Sequence, residues 1–284
     1  MAMRIKTGLL LIILSVLLIY IGSLFGNEGM FVAFMIALLM NFVSYFMGDK
    51  IVLAMTRAIK VEEDQMPQLH RIVNEVAMAA KIPKPAVYII PSSSPNAFAT
   101  GRDPAHASIA FTQGILDLLN TEELKGVIAH EMSHIKNRDI LVATIAATIA
   151  SAITMIGRMI QFAAMFGGGS RDSERGGNIF SLAGMLLMAI LVPIAAVLIQ
   201  LAISRSREYL ADETGAKIIH NPFALASALK KLARGVSVVP MNNANPSTSH
   251  LFIVNPFSAK SFFAILSTHP PIEERIKRLE SMGF

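Results

Sequence analysis

The sequence predicts a mostly α-helical membrane protein with a second, α+β part built around a small sheet. Three observations carry that expectation. Apolar residues make up 53% of the 284-residue chain and charged residues only 16%, with a mean hydropathy of +0.54. The apolar residues gather into four blocks: 8–27, 29–48, 140–157 continued by 159–166 past Arg158, and 178–204 with Pro193 inside it. Between and after the blocks lie charged stretches with helical or strand-like periodicity. A bilayer-spanning helix needs roughly 20 mostly apolar residues. Blocks one, two and four meet that requirement. Block three is softer, because it holds Ala, Thr and Ser and is interrupted by Arg158. The plainer readings are a signal peptide for block one and a buried hairpin of a soluble core for blocks three and four. Block one has no convincing small-x-small cleavage site and is followed almost at once by block two, which favours an uncleaved anchor.

Orientation follows from the flanking Lys and Arg. Arg4 and Lys6 precede block one, Lys50, Arg57 and Lys60 follow block two, and Arg205 and Arg207 follow block four. The loop after block three sets Arg171 and Arg175 against Asp172 and Glu174. Four spans with basic flanks on one side place both termini in the cytoplasm. The expected organisation is two transmembrane helices in 1–48, a first part of the α+β domain in 49–139, a transmembrane hairpin in 140–204 with an outer loop at 167–177, and the second part of the domain in 205–284. The net charge of +5 is explained by these membrane flanks. With no Trp and no basic cluster interleaved with aromatics, nothing reads as a nucleic-acid surface. The absence of Cys fits a reduced compartment and removes any disulfide argument.

The α+β elements follow in order. Residues 61–82 read as a helix, with Leu69, Ile72, Val73 and Val76 at helical spacing and Pro83 and Pro85 as the stop. Residues 86–90 and 107–111 read as short strands, with Asn96-Ala97-Phe98-Ala99-Thr100-Gly101 between them. A short helix is expected at 114–119. Asn120 with Glu123 three residues on has the form of a capping box, opening a helix whose apolar stripe is Leu124, Val127 and Ile128. A helix is expected over 205–219. Asn221-Pro222 opens another that ends near Gly235. Residues 236–256 read as a mobile polar loop. The last helix is 272–281, with Glu273 and Glu274 four residues ahead of Lys277 and Arg278.

The most informative stretch is His130-Glu131-Met132-Ser133-His134. Helix positions four apart share a face, so His130 and His134 can offer two imidazole nitrogens to one Zn²⁺ while Glu131 beside them stays free as a general base. A hydrolytic zinc site has three protein ligands. The candidates for the third are His70, His106, His220, His250, His269 and Glu208. Glu208 is best placed, because blocks three and four form a hairpin with the His130 helix at one end and Glu208 at the other. Asp212, four residues after Glu208, can accept the free ring N–H of a zinc-bound histidine. The plainer reading of Glu208 and Asp212 is a solvated helix face.

These residues, with Arg207-Glu208-Tyr209-Leu210-Ala211-Asp212 and Ser267-Thr268-His269-Pro270-Pro271, resemble the HtpX family of bacterial membrane zinc endopeptidases, relatives of the CAAX prenyl proteases. The segment 96–101 and the four-span layout match as well. Residues 236–263 are the part that does not. The resemblance implies a zincin-like (gluzincin) protease domain, one Zn²⁺ per chain held by His130, His134 and Glu208, and Glu131 as the catalytic carboxylate. It also implies a cytoplasm-facing site in the inner membrane. Its substrates would be damaged or misassembled membrane proteins or unfolded polypeptides met in the bilayer, and its setting one shared with other membrane quality-control proteases.

A second electrophile beside the oxyanion is usual in such chemistry, and His269 and Arg275 are the candidates. His106 and His250 read as surface residues. Asn96, Ala97, Phe98 and Ala99 could take a substrate peptide by strand addition; the plainer reading is a loop that packs Phe98. A maturation protease for a lipidated or secreted peptide shares all these features. A non-catalytic zinc scaffold does not, since it has no use for a free carboxylate beside the metal.

Overall fold

The computed structural model describes residues 26–166, 205–241, 245, 247–257 and 270–283, with scattered positions from 8 to 23. Part of block one, the expected outer loop 167–177, all of block four and His269 lie outside the described residues. Helix α1 spans Gly26–Met55 and contains block two. Among the described residues it is the one helix long and apolar enough by itself to cross a membrane. Phe31, Leu38, Leu39, Phe42 and Phe46 stand exposed along it, a surface that water does not favour and lipid does. Ser44 and Gly48 face inward instead, and Gly48 packs against Thr144 and Thr148.

Helix α2 is Pro67–Ala80, six residues shorter at its start than the periodicity suggests. Pro67 sits in the first turn, where its missing N–H costs nothing. The preceding residues are used otherwise. Ile59–Lys60 form a short strand, β1, antiparallel to β2 (Ala86–Ile90), and Val61 donates its N–H to the Val87 carbonyl at 3.1 Å. Strands β3 (Ala97–Gly101) and β4 (Ala107–Thr112) form a hairpin, and β4 runs parallel to β2. The order is β1-β2-β4-β3, so β3 is an edge strand.

Both faces of this sheet are covered. Val87, Ala97, Ala99, Ile109 and Phe111 point toward α2 and the helix carrying His130. Ile90, Phe98 and Ala110 point the other way, to Val52 and Leu53 of α1 and to Ala147. That double coverage explains why β3 and β4 are buried at every position rather than at alternate ones.

Helix α3 is Gln113–Leu118, and α4 is Thr121–Asn137. The capping box of α4 is complete: the Asn120 side chain accepts from the Glu123 N–H and Glu123 accepts from the Asn120 N–H. Glu123 also accepts from Ser227 and Lys231, tying α4 to a later helix. At Arg138 the chain takes a left-handed conformation (φ 61°), and α5, Asp139–Phe166, leaves at 89° to α4. Block three therefore begins on the protein, with Ile145, Ala146, Ala147 and Ile149 buried.

Among the described residues, helices α6 (Arg205–Ile219), α7 (Pro222–Val238) and α8 (Ile272–Glu280) follow. Two expectations need correcting here. Helix α7 runs to Val238, past Gly235, and residues 249–254 are not a mobile polar loop. A 3-10 turn at Ser249–Leu251 leads into Phe252, Ile253 and Val254, all buried. The apolar run 251–254 supplies the burial that the flanking Asn and Ser residues conceal.

Helix α6 crosses α4 closely at Gly215, where an added Cβ would lie 2.9 Å from the His130 nitrogen and 3.0 Å from the Ala129 carbonyl carbon. Those are backbone atoms, so they cannot swing aside. Gly215→Val is expected to cost on the order of 2 kcal/mol of stability and to lower metal content as well. Thermal denaturation paired with metal analysis checks this; an unchanged melting temperature would refute the close crossing.

Candidate metal centre and active site

His130 and His134 lie one turn apart on α4, and Glu208 faces them from the first turn of α6. The two Nε2 atoms are 3.2 Å apart. Glu208 Oε1 is 3.4 Å from His134 Nε2, and its Oε2 is 3.8 Å from His130 Nε2. Donors bound tetrahedrally at about 2.05 Å stand about 3.3 Å from each other. The three side chains thus fit one ion of that size without rearrangement. Two imidazole nitrogens and a carboxylate also suit Zn²⁺ chemically.

The surrounding groups hold these donors in place. His130 Nδ1 is 3.0 Å from Asp212 Oδ1. Asp212 in turn accepts from Arg275 twice, Nε to Oδ2 at 2.8 Å and Nη2 to Oδ1 at 2.7 Å. Arg275 is fully buried, stands 3.6 Å from Glu208 Oε2, and donates to the Ile253 carbonyl at 3.1 Å. His134 Nδ1 lies 3.3 Å from Asp139 Oδ2. Glu131 is buried and accepts a hydrogen bond from the Ala99 N–H on β3.

Burial and charge tune these groups. Burial raises the Glu131 carboxyl to about 7; His134 opposes the rise and Glu208 adds to it. Burial alone would lower the His134 imidazole, but Asp139, Glu208 and Glu131 outweigh it and lift the group to about 9. Burial keeps His130 below its ordinary value even against Asp212. Burial would also raise Asp212, yet Arg275 and His130 hold it below the usual carboxylate range.

A small cavity of about 50 Å³ opens onto this cluster. Ala99, Ile140, Ala143, Arg207 and the run His250–Ile253 wall it, together with His130, His134, Glu208 and Glu131. Several sequence expectations are revised by this geometry. Arg275 lies behind the cluster, bound to Asp212, and is absent from the cavity wall; it positions other groups rather than meeting an oxyanion. His250, read as a surface residue, is buried with Nε2 3.2 Å from the Ala143 carbonyl. His106 is exposed beside Asp103, as expected, and His70 is buried 3.0 Å from the Val61 carbonyl, serving the core. The edge of β3 at Asn96 and Ala97 is not open. Ala97 O accepts from Ile253 N–H at 3.0 Å, and the Asn96 side chain bonds both the N–H and the carbonyl of Val254.

Asp139 and the run 251–253 line the cavity and were missed by sequence reasoning. Asp139 comes five residues after His134, a spacing that shares no helix face. Only the right-angled turn at Arg138 brings it back. The run 251–253 carries no motif, and its apolar character was the one available signal.

An HExxH helix on an edge-strand sheet, with a carboxylate delivered by a second helix, defines a metallopeptidase. The profile of Peptidase family M48 matches residues 63–283. The chain is 55% identical over 285 residues to a protease HtpX homolog from Syntrophobacter fumaroxidans, covering 99% of this chain and 100% of that protein. It is 55% identical over 281 residues to one from Pyrococcus furiosus, covering 99% and 96%. The crystal structure of S. mikatae Ste24p is similar at a TM-score of 0.45 and 21% identity, over 85% of this chain and 58% of that one. The chain belongs to peptidase family M48 and, within it, to the HtpX proteases. It is a membrane metalloprotease.

Metal loading of this centre should be coupled to protons. A His134 raised to about 9 carries a proton at pH 7, and ligation requires it neutral. Loading Zn²⁺ at pH 7 is expected to release about one proton, read by titration calorimetry in buffers of different ionisation enthalpy. The sign for stability follows. The raised His134 stabilises the metal-free fold fully below 6.5, and that contribution is lost as pH rises through about 9. Glu131, neutral in the fold up to about 7, works in the same direction from 4.5 upward. The metal-free protein should therefore melt at lower temperature as pH rises from about 6.5 to 9. A flat or rising profile would contradict the assignment.

Proposed function

We propose that this metalloprotease is a membrane-embedded zinc endopeptidase that hydrolyses damaged or misassembled membrane proteins. One Zn²⁺ per chain would be held by His130, His134 and Glu208, with Glu131 as general base. The observation that carries the reading is the meeting of three donors at metal-ligand spacing with a buried carboxyl, raised to about 7, beside them. When bound, Zn²⁺ supplies a Lewis acid that polarises the substrate carbonyl and acidifies water. Glu131 takes the proton of the attacking water and returns it to the leaving amine, and a carboxyl titrating near neutral pH suits both transfers. The Ala99 N–H fixes the orientation of Glu131. Asp212 accepts the Nδ1–H of His130, leaving Nε2 as the ligand atom, and Arg275 keeps Asp212 ionised and in place.

Four spans place the site on the cytoplasmic face of a bacterial inner membrane. This layout is supported by the exposed apolar length of α1, the basic flanks and the apolarity of 178–204. A site at the root of α5 and beside α1 would meet substrates at the bilayer surface, alongside other membrane quality-control proteases.

Glu131→Gln should keep zinc near one per chain while casein hydrolysis falls by at least about 10²-fold; substantial remaining activity would rule out the general base. Glu208→Ala should lose zinc and activity together, and Asp212→Ala should lose about 10–100-fold. Full zinc in Glu208→Ala would point to another ligand, and His269 would be tested next. Topology is read by single cysteines in this Cys-free chain. A Cys at Ser173 should react with an impermeant maleimide from outside, and one at the exposed Ser237 only after permeabilisation. Labelling of Ser173 from the cytoplasm alone would reduce the layout to two spans.

A further inference from the structure

The outer edge of β3 is where an extended substrate would add, and a part of this chain already lies on it. The Ile253 N–H pairs with the Ala97 carbonyl at 3.0 Å, and Val254 pairs with the Asn96 side chain through its carbonyl at 2.8 Å and its N–H at 3.3 Å. Residue 253 stands beside 97 and residue 254 beside 96, so the segment runs antiparallel to β3, as an added strand would. Toward its N-terminal side, Phe252 packs edge-to-face on Phe98, with ring centroids 5.3 Å apart. Leu251 and His250 then reach the cavity wall beside Ala99, whose N–H holds Glu131. There the chain rises off the edge in the 3-10 turn Ser249–Leu251. On the far side, Arg275 donates to the Ile253 carbonyl at 3.1 Å, so both backbone groups of Ile253 are bonded while its side chain is 2% exposed.

We infer that residues 251–254 are an internal stand-in for substrate, lying along β3 where an extended peptide would pair and displaced when one does. The inference rests on the catalytic reading above. An extended substrate needs the Ala97 carbonyl and the Arg275 donor that Ile253 now uses. The segment and the substrate therefore compete, and apparent affinity falls by the fraction of molecules with the edge free. A peptide that takes this place would set an apolar side chain where that of Ile253 is buried. A charged side chain buried there would be left unpaired.

The test uses the full-length, zinc-loaded protein and a fluorogenic peptide. Metal-dependent cleavage by the parent and its loss in Glu131→Gln are established first; their absence would refute the catalytic reading itself. Given that activity, a hexapeptide with the sequence Ser-His-Leu-Phe-Ile-Val should inhibit competitively or be cleaved slowly, and the same peptide with Asp in place of Ile should do neither. Ile253→Ala should raise kcat/KM by about three- to tenfold at unchanged zinc content, because the edge is free more often. Should that variant fold poorly, the hexapeptide arm on the parent protein decides alone. An active parent unaffected by the hexapeptide, or a folded, zinc-loaded Ile253→Ala with lower kcat/KM, would overturn the inference.

Discussion

A single buried guanidinium organises this site. Arg275 is 0% exposed, and a charge so placed must be paired and hydrogen-bonded to persist. Its partners come from separate parts of the chain: Asp212 and Glu208 on α6, and the Ile253 carbonyl beside β3. Through Asp212 it also reaches His130 on α4. Arg275 thus draws α6, the 251–254 run and the His130 helix to one point while itself riding on α8. The placing of His130 and Glu208 relative to each other follows from satisfying that charge. The stacking of Arg278 over the Tyr209 ring, 3.7 Å away, secures α8 to α6 from the outside.

The second organising feature is the right angle at Arg138. Helix α4 carries the polar His130, Glu131 and His134 and α5 is mostly apolar, and a continuous helix would carry Asp139 away from His134. The left-handed residue breaks the axis and returns Asp139 to His134. It also sets Ile140 and Ala143 on the cavity wall and sends the rest of α5 along α1. Catalytic chemistry and apolar length therefore meet within a few residues. The small sheet sits in the angle, with one face on α2 and α4 and the other on α1 and α5.

The edge strand β3 serves both the chemistry and the access to it. The Ala99 N–H orients Glu131, while the Ala97 carbonyl belongs to Ile253. Thr144 of α5 bonds Thr100 and the Gly101 N–H, closing the far end. An exposed sheet edge invites adventitious pairing, and this one is covered by the protein's own chain.

The sequence alone determined the elements whose signals are local. The capping box at Asn120 and Glu123, the histidines one turn apart with Glu131 between them, the prolines that bound α2 and α7, and the apolar length of α1 are all set by spacing within a few residues. The tertiary structure decided what depends on approach between distant segments. Sequence could offer Glu208 as one candidate among several donors, but only the crossing of α6 over α4 at Gly215 brings it to within 3.4 Å of His134. Asp139 is recruited by a bend rather than by periodicity. The role of Arg275 turned on where its charge was buried, which no spacing encodes. The run 251–254 read as loop because its partners, Asn96 and Ala97, lie more than 150 residues away. A backbone hydrogen bond leaves no mark in the sequence of either strand, since every residue but proline carries the same donor and acceptor.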